Sequence, residues 1–244
     1  MYCYPELIKS IENNKDRILA GLPIENFPKY DYSAKNIMKD LLKFAIETDK
    51  ITGRHMERVG IIAQEFNRTL GGKEGLENIL LPAKIHDIGK VYLPKSFFNN
   101  NDGLTKKELK EVERHPVSGH AILEYIRRAA NLESDRQLRI ASDIAFSHHE
   151  RYNGKGYPRK IAGEKIPHYA RLVLIVDIFD AIASKRRYKE AIPYDKTKKI
   201  MTFGDHKTNP RQFDPNMIKV FLENFDTFVD IHKTLRNGSL SDKH

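Results

Sequence analysis

The chain has 244 residues, a formal net charge of +9 and a single cysteine, Cys3. Hydrophobic residues make up 40% and charged residues 31%, which excludes a disordered, collagen-like or disulfide-stapled chain and predicts one large domain or two small ones. No apolar run is long enough to span a bilayer and no secretory segment is visible, so the expectation is a cytoplasmic protein in a reducing compartment.

Residues 1–33 read as a leader of uncertain role. Leu7, Ile8, Ile11, Ile18 and Leu19 have helical spacing, broken before Pro23 and Pro28. From residue 34 to about 235 the pattern predicts one all-α domain, followed by a flexible tail over 236–244. Ile37, Leu41, Leu42, Phe44 and Ala45 mark one apolar face, and Val59, Ile62, Ala63 and Phe66 a second, ended by Gly71-Gly72. Residues 76–88 read as a further helix, kinked at Pro82. Thr105 with Glu108 is a capping-box pair that predicts the start of a long helix. Residues 151–163 hold three glycines and a proline and predict a loop. Pro167 opens a helix that carries Leu172, Ile175, Val176 and Phe179, and Asp214-Pro215 caps another that runs to about Leu235.

Polar groups interrupt these apolar faces in a distinctive series. They are His55, the pair His86-Asp87, His115 before a proline, the pair His148-His149, and Asp177 in mid-helix. Burying an imidazole or carboxylate costs several kcal/mol, on the order of 2–7, unless it is paired. One such histidine is more often a satisfied core residue than a ligand. Seven groups together shift that balance, because a shared cation can satisfy them all. Imidazole and carboxylate donors suit Fe, Mn, Zn, Ni or Co. Five histidines and two aspartates exceed the roughly four to six positions around one ion, so two divalent ions with a bridging carboxylate fit better. Metals about 3.5–4 Å apart are the usual arrangement for phosphoester hydrolysis, with a hydroxide between them as nucleophile.

The ordered series resembles the HD-GYP family of the HD superfamily. The matching text is His86-Asp87-Ile88-Gly89-Lys90, Gly103-Leu104-Thr105, His115-Pro116 with Gly119, His148-His149-Glu150 and Asn153-Gly154-Lys155-Gly156-Tyr157-Pro158. It continues through Ile166-Pro167, Ala170-Arg171, Asp177, Asp180-Ala181 and Arg186-Arg187-Tyr188-Lys189, and closes on Gln212-Phe213-Asp214-Pro215. The resemblance implies an all-α, HD-domain-like helical bundle with an added Gly-Tyr-Pro loop and C-terminal helices. It implies a metal-dependent phosphodiesterase that cuts cyclic di-GMP to the linear dinucleotide and in some members on to GMP.

By that resemblance His55, His86, Asp87 and Asp177 hold one ion, with Fe or Mn favoured. Asp87, His115, His148 and His149 hold the second, and Asp87 bridges. Lys90 matches a lysine that donates a proton or contacts phosphate, and Arg186 and Lys189 match a basic pair that grips phosphate. Tyr157 is expected in the loop or against the ligand. Three positions depart from the family pattern. Ile51 stands where some members carry a glutamate that supports a third metal, so two ions are expected. Asn153 replaces the usual aspartate, and Arg187 the usual proline.

Asp180, one turn after Asp177, is expected to accept hydrogen bonds rather than to ligate. Glu150 is expected to orient a ligand histidine. His120, His168, His206, His232 and His244 are given no role. Between Ser184 and Lys199 seven basic residues outnumber two acidic ones, which ties much of the positive charge to an anionic dinucleotide rather than to DNA. Two alternatives remain at this level: another cyclic dinucleotide such as cyclic GMP-AMP, or a binding module without turnover. The partners compatible with the resemblance are a diguanylate cyclase domain docked on the Gly-Tyr-Pro loop and a second copy in a homodimer.

Overall fold

A computed structural model describes residues 4–22, 33–71, 77–99, 103–185 and 190–236. Every regular element among them is helical, in agreement with the expected all-α class. The chain begins with α1 (Tyr4–Asn13) and α2 (Lys15–Leu19), then α3 (Ala34–Thr48) and α4 (Lys50–Leu70). Short α5 (Leu80–Lys84) leads into a 3-10 turn at Ile88–Tyr92, α6 (Lys95–Asn99) and α7 (Lys106–Val112). Then come α8 (His115–Ala129), α9 (Arg136–Ser147) and α10 (His168–Ala183). The last three are α11 (Tyr194–Phe203), α12 (Pro215–Glu223) and α13 (Phe225–Arg236). No helix among the described residues is long and apolar enough to cross a membrane.

Two apolar clusters organise these helices. One gathers Phe66 of α4, Val176 and Phe179 of α10, Phe221 of α12 and Phe228 of α13. The other joins Leu7 and Ile11 of α1, Leu41 of α3, Ile122 of α8 and Ala145 of α9. Helices α4 and α9 contribute to both, so the polar groups they carry lie where the clusters adjoin. Helix α10 is buried along almost its whole circumference, as expected of a helix apolar on all sides. Asp177 and Asp180 are its only carboxylates.

The leader helices belong to the second cluster. Leu7, Ile8, Ile11 and Ile18 are buried. Ser10 Oγ and Tyr125 OH lie 2.8 Å apart, and Tyr92 OH donates to Ile11 O at 3.0 Å.

Three helix expectations are corrected. The described part of 76–88 is helical only over α5. Pro82 is the third residue of α5, where a missing N–H costs nothing, so it does not kink the helix. Beyond Lys84 the backbone bonds tighten to three-residue spacing, as in His86 N to Ala83 O and Lys90 N to Asp87 O. The capping box at Thr105 and Glu108 is formed, yet α7 spans only seven residues. Pro116 has no N–H to continue the ladder onto Val112 O, so the chain turns and restarts as α8. The Asp214 cap also forms, donated to by Asn216 N and Met217 N. The helix it opens divides at Asn224, whose side chain competes for Val220 O at 2.9 Å.

Candidate metal centre

Local structure aims each donor inward. His86 and Asp87 sit on the tight turn between α5 and the 3-10 segment, made possible by Gly89. A Cβ on Gly89 would lie 2.0 Å from His115 O and 2.5 Å from Gly119 N. That close approach sets Asp87 against the first turn of α8. His148 and His149 end α9, and His55 and Asp177 face each other from α4 and α10.

The distances define one compact centre. Asp87 Oδ1 lies 3.1 Å from His115 Nε2 and 3.6 Å from His148 Nε2. Asp87 Oδ2 lies 3.5 Å from His86 Nε2, 3.8 Å from His55 Nε2 and 2.5 Å from Lys90 Nζ. His55 Nε2 is 3.2 Å from Asp177 Oδ1. Donor atoms of Asp87, His115, His148 and His149 fall within 4.8 Å of one another, as do those of His55, His86 and Asp87. All seven residues named from the sequence are therefore together, with Asp87 common to both groups. Lys90 joins them, and a cleft beside it is lined by Thr48, Asp49 and Thr52.

The outer nitrogens of four histidines are already committed. His86 Nδ1 bonds Ala83 O at 2.8 Å, and His115 Nδ1 bonds Val112 O at 2.6 Å. His148 Nδ1 shares Ile144 O and Ala145 O, both at 3.1 Å. A carbonyl only accepts, so each of these Nδ1 atoms carries the proton and each Nε2 presents a lone pair. His55 Nδ1 donates to Asp180 Oδ2 at 2.7 Å. Pro116 contributes directly here, because the Val112 carbonyl it leaves open is the one His115 uses.

The result is a set of lone pairs facing one another. His115 Nε2 and His148 Nε2 are 3.3 Å apart. His86 Nε2 and Asp87 Oδ1 are buried without a hydrogen-bond partner. Orphaned donors of this kind are destabilising unless a cation fills the gap, and the imidazole–carboxylate set suits a divalent transition metal. The residues present therefore fit a metal.

Electrostatics point the same way. Burial holds His86 and His149 below the usual histidine range and His115 down to about 4, which keeps them neutral and able to ligate. Burial opposes ionisation of Asp87, but the Lys90 ammonium against Oδ2 outweighs it and holds the carboxyl well below its usual range. Asp177 is likewise held low by His55 against its burial. His55 is the exception: burial opposes its protonation, yet its bonds to Asp177 and Asp180 push it up to about 9.

Around this centre Asp180 behaves as expected, accepting Arg58 Nε at 2.6 Å and Arg58 Nη2 at 2.9 Å besides His55. Tyr157 stacks on His149, centroids 4.7 Å apart. Gly156 lets the loop turn there, since a Cβ would meet Arg151 N at 2.3 Å. Glu150 does not orient a ligand ring as expected. Its carboxylate accepts Arg159 N at 2.6 Å and Ile161 N at 3.1 Å, and so ties the Gly-Tyr-Pro loop to the end of α9. His232, given no role from sequence, is fully buried against Asp180. Its place among Phe225, Phe228 and Val229 on an apolar face was the available signal. Arg186 and Lys189 lie outside the described residues.

Comparison with known proteins places this helical fold in a family. Residues 36–216 match the family model described as an HD domain, and the chain belongs to that family. A "Cyclic di-GMP phosphodiesterase" of Vibrio cholerae is 34% identical over 78% of this chain and 39% of its own length. A "3'3'-cGAMP-specific phosphodiesterase 2" of the same organism is 28% identical over 83% of this chain and 37% of its own. A "Cyclic di-GMP phosphodiesterase response regulator RpfG" of Xanthomonas campestris is 34% identical over 70% and 43%. The chain thus spans less than half the length of each of these relatives. The structure of Bd1817, "a HDG"Y"P protein from Bdellovibrio bacteriovorus", shares the fold with a TM-score of 0.51 at 17% identity, covering 91% of this chain and 65% of that one.

Proposed function

We propose that this chain is a cytoplasmic, metal-dependent phosphodiesterase that hydrolyses cyclic di-GMP to the linear dinucleotide. The observation that carries the reading is the pair of Nε2 lone pairs of His115 and His148, 3.3 Å apart beside an orphaned Asp87 oxygen. His55, His86, Asp87 and Asp177 would hold one divalent ion. His115, His148 and His149 would hold a second with Asp87 as bridge, Fe or Mn being favoured over Zn, Ni or Co. Such ions supply a hydroxide nucleophile at neutral pH and draw charge from the phosphoryl oxygens.

The chain's own residues do the rest. Asp87 fixes the spacing of the two halves of the centre. The carbonyl bonds at Nδ1 lock His86, His115 and His148 in the ligating tautomer. Lys90 neutralises Asp87, and its partly exposed ammonium can meet a phosphoryl oxygen or protonate the departing ribose oxygen. Arg186 and Lys189 are assigned to the substrate phosphate from sequence alone. A guanidinium fork matches phosphate in two places at once. Tyr157 forms one wall beside His149. The Gly-Tyr-Pro loop is also the proposed docking surface for a diguanylate cyclase domain, and self-association as a dimer is the other proposed contact.

The relative named for 3'3'-cGAMP supports a second reading in which one guanine is replaced by adenine. Turnover of cyclic di-GMP and 3'3'-cGAMP by Mn2+-loaded protein, with products identified by mass, separates the two. Preference for cyclic di-GMP with a linear product supports the first reading, and selective cleavage of 3'3'-cGAMP replaces it with the second.

A further inference from the structure

We infer that His232, on the C-terminal helix α13, is a positioning residue for the His55 side of the metal centre and acts through Asp180. The inference rests on the proposed metal reading. His232 Nε2 lies 3.0 Å from Asp180 Oδ1, and the two residues are 52 positions apart in sequence. On the other side of the ring, Tyr194 OH lies 2.9 Å from His232 Nδ1. Asp180 accepts the Arg58 fork on both of its oxygens, so toward His232 it accepts again and Nε2 carries the proton. Tyr194 can then donate to Nδ1, which fixes that tautomer without requiring a charge on the ring. Ser184 Oγ, 3.1 Å from Nε2 and 3.3 Å from Asp180 Oδ1, closes the group.

Asp180 is thereby held from three helices. Arg58 of α4 forks onto both of its oxygens, Ser184 follows α10, and His232 approaches from α13. The oxygen left facing inward, Oδ2, takes His55 Nδ1 at 2.7 Å. This is the arrangement by which an outer carboxylate orients a ligating imidazole and raises its basicity. Phe179 packs edge-on against His232, with centroids 5.2 Å apart and planes at 66°, so the ring has one seat. The relay Tyr194–His232–Asp180–His55 joins the C-terminal helices to one half of the centre. His115, His148 and His149 are oriented by other groups.

A histidine that merely ties α13 to the core would change the unfolding temperature and leave ion binding alike at both sites. The test is calorimetric titration of the metal-free full chain with Mn2+. Wild type is expected to take two ions. His232→Phe is expected to weaken one ion at least about tenfold, the lower end of such outer-carboxylate effects, and to leave the other within about twofold. His232→Gln, which keeps a donor toward Asp180, should restore much of the loss. The His55 Nδ1–H resonance of the metal-free protein should shift in His232→Phe and return in His232→Gln. Should His232→Phe not fold, Tyr194→Phe removes a single hydroxyl and is expected to weaken the same ion. Two ions bound with wild-type affinity by folded His232→Phe, equal weakening of both, or unchanged binding in Tyr194→Phe where His232→Phe is unfolded overturns the inference alone. Wild-type protein that takes up no Mn2+ overturns the metal reading and the inference together.

Discussion

Individual imidazoles in this centre differ in what they do with a proton. An unperturbed histidine titrates near about 6.5. His115, held down to about 4 by burial, gives stability that is complete above about 6.5 and is lost as the pH falls from there toward 4. His86 and His149 are shifted in the same direction. His55, pushed up to about 9, gives stability that is complete below about 6.5 and is lost as the pH rises through 9. The contribution of these groups to metal-free stability is therefore greatest near pH 6.5, which thermal unfolding across pH 4–9 would register as a maximum; a flat profile would contradict it. His55 must also release a proton to ligate, so Mn2+ affinity should rise with pH up to about 9, by at most tenfold per unit from that proton.

A second residue-scale expectation concerns Pro116. Pro116→Ala adds an N–H that can take Val112 O away from His115. It should weaken ion binding several-fold, below the tenfold to hundredfold typical of losing an outer partner, with little change in unfolding temperature. Calorimetry with Mn2+ and a melting curve on the same sample check both halves.

The seven donors were legible in the sequence because each interrupts an apolar face or sits in a short motif. Asp180 was legible as an acceptor because it lies one turn from Asp177. His232 was not, because its partners are 52 and 38 positions away in sequence and no local spacing encodes that contact. Glu150 was misread for a similar reason: its partners are backbone N–H groups of the loop, which carry no side-chain signature.

Between elements, the decisive contact is the turn after α5 against α8. Gly89→Ala would place a methyl against His115 O and Gly119 N, both backbone atoms that cannot swing aside. The 3-10 segment must then move off α8, which separates Asp87 from His115. Overpacking of this kind costs about 1–3 kcal/mol, and the variant should melt earlier and lose ion uptake together. Elements were also where sequence reading overran. Helical periodicity continued through Glu113 and Asn224, but Pro116 and the Asn224 side chain end the backbone ladders there. The leader helices were legible as amphipathic, whereas their burial against Tyr92 and Tyr125 depends on tertiary contact alone. Removing residues 1–22 strips Leu7, Ile8, Ile11 and Ile18 from the second cluster. At about 1.5–3 kcal/mol for each fully buried side chain as an upper estimate, the truncated chain should be markedly less stable to urea; an unchanged midpoint would show that the leader is dispensable for the core.

For the molecule as a whole, two apolar clusters carry the fold, and α4, α8, α9, α10 and the turn after α5 carry the polar donors between them. The all-α class, the order of motifs and the gathering of six further donors around Asp87 agree with one another and with the HD-domain match over residues 36–216. The central claim is that this convergence serves two ions and a cyclic dinucleotide. Its most direct test is hydrolysis of cyclic di-GMP by the metal-free full chain as Mn2+ is added stepwise, with product and bound ion measured on each sample. The account predicts linear dinucleotide formation that climbs to a plateau at two Mn2+ per chain. No turnover of cyclic di-GMP or 3'3'-cGAMP at any Mn2+ ratio would contradict it.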